Sequence, residues 1–385
     1  MRFTWNEEQE LLRSTLRKYV DNRYNVDYRR RRVARGFDPE VWTELAQLGV
    51  LGLPFEEKYG GSGGSALHTL VVMESFGRGL VIEPYIASIV LGGGLLRVAA
   101  EERHKAEFIP RLVSGELRLA LAFAEAQSRF HLPSVNVHAR RVAGDFVLTG
   151  RKIVVQGAPD CHMLPVTART SGNTLDRDGV SLFLIPKEAE GLEIRGYACV
   201  DGMSAADINM NDVHVPRESL VGEPGAALPA VEQVVDEAIS AICGEAVGAM
   251  AALIEKCVAF AKTRQAFGKP IGQFQAIGHR LVDMHVCYEQ ASAIAIKAAL
   301  KLSTSSTDSK RTISACKVSV GKEAAFVGKS AVQMHGAMGT TDELDIGHYF
   351  KRLTAIQATF GSTQYHLRRY ADLGNLTEET SRNGH

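Results

Sequence analysis

Residues Thr263–Gln275 read TRQAFGKPIGQFQ and interrupt two stretches of strong helical character. A plain connector between helices needs only small polar residues. This one carries a guanidinium (Arg264), an ammonium (Lys269), two aromatic rings (Phe267, Phe274) and an amide (Gln275). The set as a whole suggests that something is being held. A second candidate is Glu245 in CGEAVG, an acid among apolar residues. Two readings of it stay open: a buried, hydrogen-bonded structural group, or a base whose pKa burial raises.

Other stretches carry less. EEKYGGSGGS (56–65) is glycine-rich but does not follow a strand and open a helix, so it reads as a loop rather than a phosphate cradle. The six cysteines make no CxxC pair and no zinc-spaced Cys/His cluster, so free thiols in a reducing, cytoplasmic compartment and no metal are expected. RRRR (29–32) has Asp21, Asp27 and Asp38 close by and reads as a solvated face.

The elements that position these residues fall into three segments. Residues 1–118 read as helices: Leu11, Leu12, Leu16 and Val20 recur at helical spacing, as do Val41, Trp42, Leu45 and Leu48. Residues 119–226 read as a small β-barrel or sandwich, with DFVLTGRKIVVQG, GVSLFLIP, GLEIRGY and ADINMNDVHVP as strands between turn signals. Residues 227–385 read as a four-helix bundle. There Ile242, Ala246, Met250, Leu253, Cys257 and Phe260 draw one apolar stripe, and STSSTD (303–308) links two helices. The expected class is α+β and multidomain.

With 385 residues, 45% hydrophobic, and 44 basic against 44 acidic residues, bulk charge favours neither nucleic acid nor a membrane surface. The N-terminal stretch has no apolar signal region, and no membrane insertion is expected.

The three-part order, RQAFGKPIGQFQAIGHRLVDM (264–284) and QMHGAMGTTDELDIGHYFKRL (333–353) together resemble the acyl-CoA dehydrogenases over nearly the whole chain. The resemblance implies FAD as cofactor and α,β-dehydrogenation of an acyl-CoA thioester, with pimeloyl-CoA or another dicarboxylyl or bulky acyl-CoA as the expected substrate. It implies electron-transfer flavoprotein as the acceptor. It also implies assembly as a dimer or tetramer, or with a large-subunit homologue. It carries Arg264 onto the FAD pyrophosphate of a neighbouring subunit, Phe267 onto the adenosine half and Gln275 beside it. Gln333, Gly336 and Ala337 close over the same ligand. Ser362, Gln364, Phe123 and Ala124 complete the cofactor set. Pro84, Ala87, Ser88, Leu91 and Ile242 would face the acyl group.

The family's base is missing where the resemblance puts it. The usual C-terminal glutamate position is Phe360 in ATFGSTQYH, where only the backbone N–H could serve the thioester oxygen. The alternative position, thirty residues before Gly268, is Ala238. Glu237 is the expected base, reached by a one-residue slip, with Asp236 and Glu245 as alternatives; an acid near a helix N-terminus is also simply favoured by the macrodipole. Glu125 is kept, but the flavin loop reads AEAQSRFH (124–131), and Val154 and Gln156 stand where the family has Trp and Thr. Two functions follow: a dehydrogenase with an unusual base, or a non-catalytic subunit that completes a partner's FAD site.

Overall fold

The computed structural model describes residues 4–302, 307–341 and 344–382. Most of the expected 303–308 connection lies outside them. In chain order the elements are α1 (Glu7–Arg23), α2 (Val26–Arg35), α3 (Pro39–Gln47), α4 (Ala66–Gly79), a π-helical segment (Ile86–Gly93), α5 (Gly94–Ala99) and α6 (Glu102–Val113). Strands β1 (His138–Val142), β2 (Asp145–Gln156), β3 (Met163–Arg169), β4 (Val180–Pro186), β5 (Leu192–Ala198), β6 (Ser204–Val215) and β7 (Leu220–Val221) follow. Then come α7 (Leu228–Thr263), β8 (Gln265–Ala266), β9 (Lys269–Pro270), α8 (Gln275–Leu302), α9 (Thr307–His335), α10 (Ile346–Ala358) and α11 (Thr363–Arg382). By backbone proximity they form two compact units.

The helical unit comprises residues 1–31, 66–81 and 239–385. Asn6 caps α1 in a capping box, accepting from Gln9 N–H (2.8 Å) while Gln9 Oε1 accepts from Asn6 N–H (3.2 Å). The apolar stripe on α7 is real: Ile242, Ala246, Met250, Leu253 and Cys257 are all buried. Helices α4 and α7 meet backbone to backbone through two glycines. A Cβ on Gly77 would stand 1.8 Å from Glu245 O, and one on Gly248 would stand 1.8 Å from Glu74 O, so only glycine fits either place. Helix α7 is apolar and long enough to pass for a membrane span by composition, but 83% of its most apolar 18 residues are buried; it is a core helix.

The sheet unit comprises residues 32–65 and 82–238. Its seven strands run in the order β5-β6-β2-β1-β3-β4-β7, with β1–β3 parallel and the other pairs antiparallel. One face builds a continuous core that includes Val137, Leu148, Val166, Phe183, Ile208 and Val213. The β2–β6 register slips between Lys152 and Val155. That bulge puts Val154 in the left-handed region (φ 52°), half exposed, with its N–H donated to Asp207 Oδ1 (3.2 Å).

The basic run differs from expectation. Arg29 is buried and donates to Leu80 O, and Arg32 donates to the carbonyls of Gly36 and Phe37. Two of the four arginines are local staples because a guanidinium can serve several carbonyls at once; they are not a solvated face.

Candidate functional site

The Thr263–Gln275 stretch contains a β-hairpin. Gln265 pairs with Pro270 and Ala266 with Lys269, leaving a two-residue turn of Phe267 and Gly268, both left-handed (φ 52° and 78°). That is the type I′ geometry, which asparagine and glycine adopt easily and phenylalanine does not. Phe267 is 96% exposed, and its ring stands edge-on to Phe274 with the centroids 6.2 Å apart. Lys269 Nζ sits 4.4 Å from the centre of the Phe274 ring, a cation–π contact that stiffens the base of the hairpin. The backbone of Arg264 is bonded on both sides, to Phe260 O and from Ile271 N. Its guanidinium is exposed and makes no ion pair with any described residue.

Phe260, at the end of α7, stacks on His335 at 4.3 Å. That stacking sets the end of α9 beside the start of the hairpin. There Gln333, Gly336 and Ala337 are all exposed, and Gly336 is left-handed (φ 61°) with open space where a Cβ would stand. Gln275 is the first residue of α8 and exposed. The helical unit therefore brings Arg264, Phe267, Gln275, Gln333, Gly336 and Ala337 to one end, solvent-facing. Ser362 caps α11, its Oγ accepting from Tyr365 N–H (3.2 Å), and Gln364 is exposed on that helix. Phe360 is half-buried and left-handed (φ 57°), and its N–H makes no hydrogen bond to any described residue.

The carboxylates behave otherwise. In the helical unit Glu245 is 2% exposed and held bidentately by Arg352, Nε to Oε1 at 2.5 Å and Nη2 to Oε2 at 2.6 Å. Both of its oxygens are engaged by Arg352, an arrangement that fits the structural reading of the two its neighbourhood left open. In the sheet unit Glu237 accepts from Arg97 Nη2 (2.5 Å) and Gln233 Nε2 (3.2 Å). It lies nine residues into α7 rather than in its first turn, because the helix begins at Leu228; the macrodipole is no explanation for it. Ala238, at the alternative base position, is wholly buried, and Asp236 is buried and partnered.

Pro84, Ala87, Ser88 and Leu91 are all buried in the sheet unit, and Ile242 is buried in the helical unit. The π-helical segment is clamped: Ser88 Oγ accepts from Leu119 N–H (3.2 Å), and Cβ atoms on Gly92 and Gly93 would strike Leu119 and Phe55.

Phe123 and Ala124 are half-buried and held from behind. Ile153 N–H donates to Ala124 O (2.9 Å), and Lys152 Nζ donates to Phe123 O (3.4 Å), Glu125 Oε1 (2.6 Å) and Thr167 Oγ1 (2.9 Å). Burial pulls the Lys152 ammonium down to about 8. Glu125 also accepts the N–H groups of Asn136 and Val137. Burial works against its charge, yet Lys152 and these donors keep its carboxyl below the usual range. A cavity of about 550 Å³ opens beside this anchor, lined by Asn136, His138, Arg169, Asn173 and Thr174 among others. Arg169 stitches its rim by donating to the carbonyls of Pro133, Thr174, Asp176 and Asp178. Lys152, Arg97, Arg352 and Arg169 were all missed by sequence reasoning, since each finds its partner only through the fold.

Comparison with known proteins adds a lineage. Three models of one family match nearly end to end: acyl-CoA dehydrogenase N-terminal domain (residues 6–116), middle domain (120–213) and C-terminal domain (230–373). The chain is 26% identical to the probable acyl-CoA dehydrogenase YngJ of Bacillus subtilis over 369 residues, 94% of this chain and 97% of that one. Among solved structures it is similar to the FAD complex of PigA (TM-score 0.90, 24% identity, 98% and 100% covered). It is also similar to a chain of the ChsE4-ChsE5 complex from Mycobacterium tuberculosis (TM-score 0.87, 22% identity, 97% and 98% covered). These two likenesses show the fold.

Proposed function

The chain belongs to the acyl-CoA dehydrogenase family and its cofactor is FAD; from that premise we propose that it acts as one subunit of a hetero-oligomeric dehydrogenase, completing a flavin site without supplying the α-proton base. The observation that carries this reading is a contrast. Every carboxylate expected to act as base is buried or ion-paired, Glu237 by Arg97 and Glu245 by Arg352. The hairpin, by contrast, holds a 96%-exposed ring and an unpaired guanidinium in a strained turn. An exposed aromatic on a left-handed backbone has no use within its own fold, and a free guanidinium beside it fits a pyrophosphate.

FAD fits these donors: Arg264 would hold the pyrophosphate, Phe267 would cover the adenosine half, and Gly336 leaves room for close approach. The flavin, when bound, accepts the β-hydrogen as hydride. The chain's own residues would bind and orient it, and the Phe360 N–H would bond a thioester oxygen. The amide-lined cavity at Asn136 and Asn173 would take the pantetheine arm of the acyl carrier. The proposed acyl-CoA is pimeloyl-CoA or another dicarboxylyl or bulky acyl-CoA, on the chain's likeness to the small subunit of pimeloyl-CoA dehydrogenase. Electrons would leave to an electron-transfer flavoprotein. Likeness to a chain of the ChsE4-ChsE5 complex supports an assembly of two different chains.

The test is to purify the chain alone and with a large-subunit homologue, then titrate each anaerobically with pimeloyl-CoA and octanoyl-CoA. We expect bleaching of the flavin band only in the mixed assembly, and loss of FAD from it with Arg264→Ala. A yellow homo-oligomer that acyl-CoA bleaches unaided would sink the proposal and return Glu237 to the role of base.

A further inference from the structure

Three side chains almost wholly out of solvent converge where α10 passes into α11. Lys317 of α9 is 2% exposed, and its Nζ donates to Ile356 O (2.5 Å) and Gln357 O (3.4 Å), among the last carbonyls of α10. His366 of α11 has no exposed surface, and its Nε2 lies 3.0 Å from Phe360 O. Its Nδ1 lies 3.5 Å from the hydroxyl of Ser314, also fully buried. A carbonyl only accepts, so Nε2 carries the proton and Nδ1 faces the hydroxyl. Burial pulls His366 down to about 4, so the ring is neutral at physiological pH.

Between these anchors Phe360 and Gly361 are both left-handed (φ 57° and 120°). A left-handed phenylalanine costs roughly 1–2 kcal/mol and persists only where its surroundings fix it. Burying a lysine and a histidine adds a desolvation cost. The return is that Phe360 is pinned on both sides: the end of α10 sets the peptide before it, and His366 sets the peptide after it. What remains unsatisfied is the Phe360 N–H.

We propose that His366 is a positioning residue: by holding the Phe360 carbonyl it keeps the Phe360 N–H unpaired and aimed at an acceptor oxygen, the carbonyl of an acyl thioester. This rests on the reading of that N–H as the thioester donor. The assignment concerns carbonyl polarisation, which needs no base on this chain.

The experiment uses the assembled flavoprotein and octanoyl-CoA labelled with ¹³C at C1, with the carbonyl stretch read by infrared difference spectroscopy. Wild type and His366→Gln, whose amide can donate in place of the ring, are expected to shift the stretch to lower frequency. His366→Leu is expected to lose the shift while keeping its FAD and a cooperative melt. A wild-type shift in the leucine variant overturns the role of His366 and leaves the Phe360 reading standing; no shift in wild type overturns both. Should His366→Leu fail to fold, Gly361→Ala reaches the same contact from the other side. Its Cβ would stand 2.5 Å from His366 Nε2 and displace the ring. A full shift there also overturns the proposal.

Discussion

Phe267–Gly268 and Phe360–Gly361 are the same dipeptide with the phenylalanine left-handed in both, at φ 52° and 57°, although the glycines differ, at 78° and 120°. Their surroundings differ. The first is closed by two short strands and a cation–π contact, and its ring stands in solvent. The second is gripped by buried Lys317 and His366, its ring half-covered and its N–H bare. Equal local strain thus serves opposite ends: one turn exports a side chain, the other a backbone donor. In the sequence these two Phe-Gly pairs look alike; which atom each offers is decided by residues that the chain brings from elsewhere.

The Phe360 turn should be costly to disturb, because the helix leading into it is bolted to the core. Arg352→Leu leaves Glu245 buried without its cation, and a loss of about 3–5 kcal/mol is expected in denaturant unfolding. Replacing both residues by leucine should recover most of it. A double variant no more stable than the single one would mean that the pair is not the bolt.

A second carboxylate in the same unit sharpens the point by being poorly paired. Glu74 is buried, with Arg13 no closer than 3.8 Å, and burial raises its pKa from 4.5 to about 7 despite the arginine. A raised carboxyl binds its proton more tightly in the folded state. Its contribution is therefore present below pH 4.5 and lost as pH rises through about 7. Glu74→Gln should match wild type near pH 4 and gain on it towards pH 8, by up to about 3 kcal/mol. Melting curves of both proteins at several pH values decide it; a constant difference would mean that folding leaves the Glu74 pKa unshifted.

The hairpin should respond in the reverse sense. Phe267→Gly removes a left-handed side chain that touches little, so the isolated chain should lose no stability and gain up to about 1 kcal/mol. The mixed assembly should hold FAD about 10-fold to 100-fold more weakly, the worth of burying an aromatic ring. Equilibrium dialysis of FAD against both proteins separates the two effects. Unchanged FAD affinity would make the exposed ring an ordinary surface residue.

What the sequence disclosed follows the same division. The Thr263–Gln275 stretch stood out in the sequence because its chemistry is contiguous, thirteen residues long, although its pairing as a hairpin did not. The α7 stripe and strands β2, β4, β5 and β6 were legible from period and turn signals. Strand β1 was not: HARRV shows one buried alanine among His138, Arg140 and Arg141, ending in a half-buried Val142. Strand β3 was not either, because MLPVTAR is buried on both faces, gives no alternation, and contains Pro165. The ion pairs that engage the carboxylates were out of reach for a different reason. Arg97 and Glu237 are 140 residues apart, Arg352 and Glu245 are 107, and Lys152 and Glu125 are 27. No spacing rule connects them; only the fold does.

The smallest expected effect tests the contrast most directly. The Arg97–Glu237 pair is partly exposed, with side-chain exposures of 31% and 20%, so Glu237→Gln should cost under about 1 kcal/mol. If Glu237 only pairs with Arg97, turnover of the mixed assembly should stay within about 2-fold of wild type. If it is the base, removing it should cost about 10²–10⁴-fold in rate with little change in stability. The two outcomes are far enough apart for a single rate measurement to choose, provided that FAD content is checked in the same sample. A large rate loss with full FAD would place the α-proton chemistry on this chain after all, and the exposed hairpin would then serve a second copy of itself as well as any partner.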